Sequence, residues 1–251
     1  MIPYERRLQM LRLLEQTEIV SLDDFCRELQ NVSESTIRRD LKTLEAEGQI
    51  TMLKGGGACL KKGSFDTPVN SKTITNVSEK EKIARYAASL VKDGEAIYLD
   101  AGSTVLRMIK YLKDRQITVV TTNLLVLQAM QENNIDDRSA HCIMAGGEVK
   151  ISTASVVGTA TNNFLRTCYF DKAFVGTSGI SAIAGFNTPD IREAEKKKIV
   201  KNNSTETYVL TDSSKSGITT LCKFYELGEV TVICNEATDV IVSNGNYIIA
   251  N

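Results

Sequence analysis

The stretch Ser33-Glu34-Ser35-Thr36-Ile37-Arg38-Arg39-Asp40-Leu41-Lys42-Thr43-Leu44-Glu45-Ala46-Glu47-Gly48 has the marks of one complete helix. Ser33 is a good N-cap, because its hydroxyl accepts from a backbone N–H that has no partner inside the helix, and Glu34 complements the positive end of the dipole. Gly48 tolerates the left-handed conformation that closes many helices. Ile37, Leu41 and Leu44 recur at helical spacing and form an apolar stripe. The other face carries Ser35, Thr36, Arg38, Arg39 and Lys42, side chains that suit phosphates and the base edges of a major groove. The bland alternative is a solvated cationic helix.

The preceding residues decide between the two. Ser21 to Leu29 reads as a second short helix, with Ser21 as cap and Asp24 three residues on in the manner of a capping box. Only Gln30-Asn31-Val32 separates it from the first, and two short amphipathic helices joined by a short polar turn are the helix-turn-helix signature. Ile50 to Leu60 follows as two β-prone arms around a glycine-rich bend, a hairpin wing with Lys54 near its tip to touch a phosphate or the minor groove. Residues 3 to about 16 form a supporting helix, with Leu8, Leu11 and Leu14 facing the small core. Residues 1–60 therefore predict a winged helix whose partner is double-stranded operator DNA. Ser33, Ser35, Thr36, Arg38, Arg39, Lys42 and Lys54 are its candidate contacts.

Val32 to Gly48, with its serine-rich cap, Thr36-Ile37-Arg38-Arg39-Asp40-Leu41 and the closing Glu45-x-x-Gly48, resembles the N-terminal domain of the DeoR family of bacterial transcription regulators. The wing departs from that family's pattern. Where the family usually shows an Arg and then His-Gly-Gly-Ala, this chain has Met52 and Lys54-Gly55-Gly56-Gly57.

Composition bounds the rest. At 251 residues the chain has room for a small domain and a larger one, and its 42% hydrophobic and 24% charged residues are ordinary for a globular protein. The net charge of −1 gives no global sign of nucleic-acid binding, so the argument rests on where charge is placed. The six cysteines, at 26, 59, 142, 168, 222 and 234, contain no C-x-x-C pair and read as buried reduced thiols. The single His141 has no metal-ligand spacing to any of them, so no metal or cofactor is expected. No secretory segment follows Glu5-Arg6-Arg7, and no apolar run approaches the ~18 residues of a membrane span. A cytoplasmic protein with no membrane partner is the expectation.

From Lys61 to about Asn76 periodicity is lost and Lys, Gly, Ser, Asp, Thr and Pro68 gather, so residues 61–76 read as a linker and 77–251 as the second domain. A helix is expected from Ser78, with Glu81 completing a capping box. Beyond it, short β-branched runs alternate with helical stretches: strands at 96–100, 117–122, 142–145, 172–176, 207–210, 230–234 and 247–250, with a cationic helix from Pro189 to about Asn202. That alternation predicts an α/β fold, an open and mostly parallel sheet with helices on both faces. Such sheets bind ligands at the carboxyl ends of their strands. There Asp100-Ala101-Gly102-Ser103-Thr104 offers backbone N–H groups and two hydroxyls to a phosphate, or is an ordinary strand-to-helix turn capped by Ser103. Thr121-Thr122-Asn123, Gly146-Gly147-Glu148 and Thr211-Asp212-Ser213-Ser214-Lys215 carry similar chemistry to the same edge.

These loops, with Glu79-Lys80 to Ile83-Ala84 and Asp171-Lys172-Ala173-Phe174-Val175-Gly176, also resemble the DeoR family's C-terminal effector domain, whose fold is shared with ribose-5-phosphate isomerases. The resemblance implies a phosphorylated sugar effector. It implies that the loop Asp100, Gly102, Ser103, Thr104 holds the phosphate and that Asn123, Asp171 and Lys215 line the pocket, with Thr122, Gly146 and Gly147 at neighbouring strand ends. The first loop departs from the family's more frequent Asp-Ser-Gly-Thr-Thr at Ala101 and Ser103.

Three readings follow. In the first, the chain is a regulator, most simply a repressor of a sugar operon that a sugar phosphate releases from DNA. It would act as a homo-oligomer, dimer or tetramer, since one winged helix makes too few contacts for a genomic address. The second is a sugar-phosphate isomerase with Asp171 and Glu193 as acid and base. Against it, the isomerases of this fold carry a lysine on a glycine-rich segment that here, Gly176 to Thr188, has none. The third is an interaction module whose pocket binds nothing.

Overall fold

The computed structural model describes residues 2–17, 19–30, 32–47, 49–53, 56–60 and 69–251. Two units emerge, Met1–Thr75 and Asn76–Asn251. The first opens with α1 (Pro3–Gln16), α2 (Leu22–Glu28) and α3 (Glu34–Ala46), then a hairpin of β1 (Ile50–Met52) and β2 (Ala58–Leu60). Each helix buries its apolar stripe in one small core: Met10, Leu11 and Leu14 from α1, Phe25 from α2, and Ile37, Leu41 and Leu44 from α3. Ile50 and Ala58 bring the hairpin onto the same cluster. An isolated bridge between Val20 and Ala58 adds a short third edge to the hairpin, completing a winged helix.

The caps read from sequence are in place. Ser21 accepts from the Asp24 backbone in a reciprocal capping box, and Ser33 accepts from the Thr36 N–H at 3.3 Å. One contact had no local signature: Asp40, on the buried side of α3, pairs with Arg6 of α1. The expectations for Asn31, Gly48, Lys54, Gly55 and linker residues 61–68 lie outside the described residues. In the remainder of the linker, Val69–Ile74 forms a short helix, α4, in place of an aperiodic run. The Thr73 hydroxyl donates back to the Val69 carbonyl within it.

The second unit runs α5 (Val77–Ser89), β3 (Ala96–Leu99), α6 (Ser103–Leu106), β4 (Ile117–Thr121), α7 (Leu125–Glu132) and β5 (Ala140–Met144). Next come β6 (Glu148–Lys150), β7 (Ser155–Val157), α8 (Thr159–Arg166), β8 (Phe170–Gly176), β9 (Gly179–Ser181), β10 (Gly185–Thr188) and α9 (Ile191–Asn202). The unit ends with β11 (Ser204–Leu210), β12 (Cys222–Tyr225), β13 (Thr231–Cys234), α10 (Asp239–Ser243) and β14 (Tyr247–Ile249). Seven strands form one sheet in the order β14-β13-β11-β8-β3-β4-β5. Every pairing in it is parallel.

Strand alternation builds the two cores. Ile97, Leu99, Phe174, Leu210 and Ile233 face one layer with Ile83, Ala84 and Ala87 of α5. Tyr98, Ala173, Val175, Val209 and Val232 face the other, with Leu165 of α8, Ala194 and Val200 of α9 and Ile241 of α10. Burial on both faces explains why these strands read as continuous apolar runs. Two antiparallel additions were not foreseen: the β6–β7 hairpin and the small sheet β12-β10-β9. Their strands are too short to show a period. The start of α5 also differs, because Asn76 and not Ser78 precedes the helix, and Glu81 is drawn away from a local cap by Arg107, Lys110 and the Tyr111 hydroxyl.

Candidate functional site

On α3, Ser35, Arg39 and Lys42 follow one another at helical spacing and are exposed, opposite the buried Ile37, Leu41 and Leu44. Ser33 and Arg38 are also exposed, while Thr36 is half-buried. The two arginines differ. Arg38 donates to Glu34 at 2.8 Å, and a Cβ on Gly56 of the wing would meet its guanidinium at 3.0 Å, so it lies along the side of the helix towards the wing. Arg39 points from the middle of the exposed face. Ser33, besides its cap, bonds the hydroxyls of Ser35 at 3.0 Å and Thr36 at 2.8 Å, so its oxygen is largely committed to the helix start.

In the second unit the carboxyl ends of β3, β4, β5, β8, β11 and β13 bring Asp100, Thr121 to Asn123, Ala145 to Gly147, Gly176, Thr211 to Lys215 and Asn235 to one edge of the sheet. A Cβ on Gly102 would make ordinary van der Waals contact with the Gly176 backbone at 3.9 Å, and α6 is a single turn, followed by a 3-10 turn at Ile109–Tyr111. Its first intrahelical bond runs from the Leu106 N–H to the Gly102 carbonyl, so the loop offers local N–H groups and not a long helix's dipole. Ser103 and Thr104 are buried beside it. Asn123 is 1% exposed, its carbonyl oxygen accepts from the Leu125 N–H at 3.0 Å, and its amide nitrogen has no partner. A buried donor left open in this way carries a free-energy cost that a ligand acceptor would relieve. Gly147 answers to packing: a Cβ there would sit 2.0 Å from the Thr161 hydroxyl of α8.

Two expected contacts lie beneath the edge. Asp100 is wholly buried, bonded by Lys197, by the Gly176 N–H at 3.1 Å and by the Tyr98 hydroxyl at 3.3 Å. Thr122, also wholly buried, shares a hydrogen bond of 2.8 Å with the same Tyr98 hydroxyl. Lys196 stands 3.8 Å from Asp100 and 2.9 Å from Glu193, and the Ser155 hydroxyl donates to Glu193 at 2.6 Å. Two carboxylates and two ammonium groups thus form a neutral buried cluster under the first loop. Burial favours a protonated Glu193, but the ammonium groups of Lys196 and Lys197 and the Ser155 hydrogen bond outweigh it and hold the carboxyl down at about 2.

Asp171 is a correction. It sits at the amino end of β8, exposed, accepting from the Ala96 N–H at 2.8 Å, on the edge of the sheet opposite Asp100 and Asn123. Lys215 lies half-buried at the end of the loop after β11. Its neighbour Asp212 is buried, and burial works against its charge. The Lys215 and Lys80 ammonium groups, with bonds from Ser214 and Asn76, nevertheless keep that carboxyl below its ordinary range. Sequence reasoning missed Lys196, Lys197 and Asn76. The spacing Glu193-x-x-Lys196-Lys197 on a predicted helix was the available signal for the first two.

Among the described residues no helix is long and apolar enough to cross a membrane. Residues 6–62 match the DeoR-like helix-turn-helix domain and residues 75–237 the DeoR C terminal sensor domain. An HTH-type transcriptional regulator named FruR from Bacillus subtilis is 36% identical over 97% of this chain and 95% of its own length. The lactose phosphotransferase system repressor of Staphylococcus epidermidis is 30% identical over 94% of this chain and 93% of its own. A ribose 5-phosphate isomerase A from Methanocaldococcus jannaschii superposes with a TM-score of 0.40 at 22% identity, covering 57% of this chain and 55% of that one. The chain belongs to the DeoR family of helix-turn-helix transcriptional regulators.

Proposed function

We propose that this regulator represses an operon of sugar metabolism and leaves its operator when a phosphorylated sugar binds at the carboxyl ends of β3, β4 and β11. The observation that carries the effector half is Asn123, a buried amide donor without a partner beside the first loop. The similarity to a repressor of a lactose phosphotransferase system supports the sugar context. In this reading residues 1–60 bind DNA, 61–76 link and 77–251 sense. Ser35, Arg39 and Lys42 face the groove, with Arg38 towards its rim. The N–H groups of Gly102, Ser103 and Thr104 hold the phosphate, Lys215 adds charge and Asn123 bonds a sugar oxygen. Asp100 and Thr122 act from below, by fixing that loop. The repressor works as a homo-oligomer in the cytoplasm.

The isomerase reading loses its acid–base pair. Asp171 lies at the wrong end of β8, and Glu193 is held ionised by two lysines at a pKa far from neutrality, where a general base works poorly. The deciding experiment is an anisotropy titration on DNA from upstream of the protein's own gene, repeated with a panel of sugar phosphates. Release by one phosphate and not by its free sugar is the expected result. Specific DNA binding that no panel member alters would remove the effector half.

A further inference from the structure

Asn76 is the first residue of the second unit, so the chain that leads from the DNA-binding unit enters the sensor there. Its backbone is left-handed, with φ of 46°, a conformation Asn adopts more readily than most residues and that surrounding contacts must hold. Those contacts come from far along the chain. The Asn76 amide donates to the Asp212 carboxylate at 3.0 Å and to the Ser214 hydroxyl at 3.1 Å. Asp212 and Ser214 are bonded to each other, the Lys215 N–H donates to the Asp212 carbonyl at 3.1 Å, and the Ser213 N–H donates to Asn235 at 2.9 Å. The Asn76 carbonyl in turn accepts from the Lys80 N–H at 3.0 Å, which starts α5. One side chain therefore joins the loop that carries Lys215 to the residue where the linker becomes helix.

We propose that Asn76 is the positioning residue through which the state of the 211–215 loop is passed to the linker: a ligand anion drawn to Lys215 shifts Asp212 and Ser214, and their hold on Asn76 changes with them. The inference rests on the strand-end loops being the effector site. A coupling of this kind needs only that the ligand bind one arrangement of the Asn76 contact better than the other.

The test uses the full chain and Asn76→Gly, which deletes the amide and keeps the left-handed backbone. Ribose 5-phosphate, glucose 6-phosphate and fructose 1-phosphate are the probes, with inorganic phosphate as control. The probe that weakens wild-type DNA binding should still bind the DNA-free variant within about threefold, while its effect on DNA affinity falls by about tenfold. A full DNA response in Asn76→Gly overturns the proposal, and so does loss of probe binding itself, which marks a merely structural role. Hydrogen exchange at the Lys80 amide is read in parallel, without ligand, in Asp212→Ala, or in Asp212→Asn should the alanine variant not fold. Faster exchange, by about tenfold and not additive with Asn76→Gly, is expected; unchanged exchange overturns the tie. If no probe binds the wild type, the effector reading falls, and the tie then stands or falls on exchange alone.

Discussion

Two places where this protein gathers cations, α3 and α9, use them in opposite ways. On α3, Arg39 and Lys42 stand in water on a surface helix whose stability comes from the other face. On α9, Lys196 and Lys197 are buried between the helix and the sheet, matched to Glu193 and Asp100. An exposed cation costs the fold little and is available to a polyanion. A buried one is tied to its carboxylate and holds a backbone loop in place. The same residue type is therefore left free for the proposed recognition in one unit and is built into the architecture of the other, and mutations should separate the two.

The largest separation is expected at Lys197. Its removal leaves Asp100 wholly buried with its nearest cation gone, so Lys197→Ala should lower unfolding stability by about 3–5 kcal/mol in urea titration. Survival of the variant with near-wild-type stability would mean that Lys196, 3.8 Å from Asp100, suffices for that carboxylate and that Lys197 does not fix the loop. Acid provides the next probe of the same cluster. Glu193 has a folded pKa depressed from 4.5 to about 2, so it contributes stability that is present above pH 4.5 and lost as pH falls through 2. The loss is on the order of 3 kcal/mol. Glu193→Gln should be less stable at neutrality and show a flatter acid limb, because the group that takes up the proton is gone. Parallel acid limbs in the two proteins would place the titration elsewhere.

At α3 the signs reverse, with binding affected and folding left alone. Arg39→Ala should leave the urea midpoint unchanged while weakening operator affinity by about 1–3 kcal/mol, and reduce the salt dependence if its partner is a phosphate. Arg38→Ala should cost less, since that guanidinium is already bonded to Glu34. Equal losses at both positions would show that Arg38 leaves Glu34 when DNA arrives.

This contrast also explains what the sequence disclosed. The α3 face was legible because a helix repeats its environment every three or four residues, so cap, stripe and exposed face are all local. The parallel sheet was legible for the related reason that doubly buried strands are continuously apolar. The α9 cluster was not, because Asp100 and Lys197 are 97 positions apart and nothing near either residue announces the other. Asp171 failed by a different route. The run Asp171 to Gly176 looks like one motif, but in a strand it spans roughly 16 Å at about 3.3 Å per residue, so its two ends lie on opposite edges of the sheet. A strand-end site needs the right end of each strand, and alternation alone does not supply it.

The smallest effect tests whether a single α3 residue can serve both roles. Ser33 caps the helix through the Thr36 N–H and is exposed at the start of the face proposed to meet DNA. Ser33→Ala removes the cap, and about 1 kcal/mol of stability in the N-terminal unit should go with it. Ser33→Asp keeps a good cap and adds charge favourable to the helix dipole, so stability should return. The same carboxylate would face phosphates, and operator affinity should fall below that of Ser33→Ala, with the gap narrowing as salt is raised. If Asp restored stability and affinity together, Ser33 would be a cap alone and the DNA-contacting surface would begin at Ser35. If it restored stability while lowering affinity, the helix start itself would lie against the phosphate backbone.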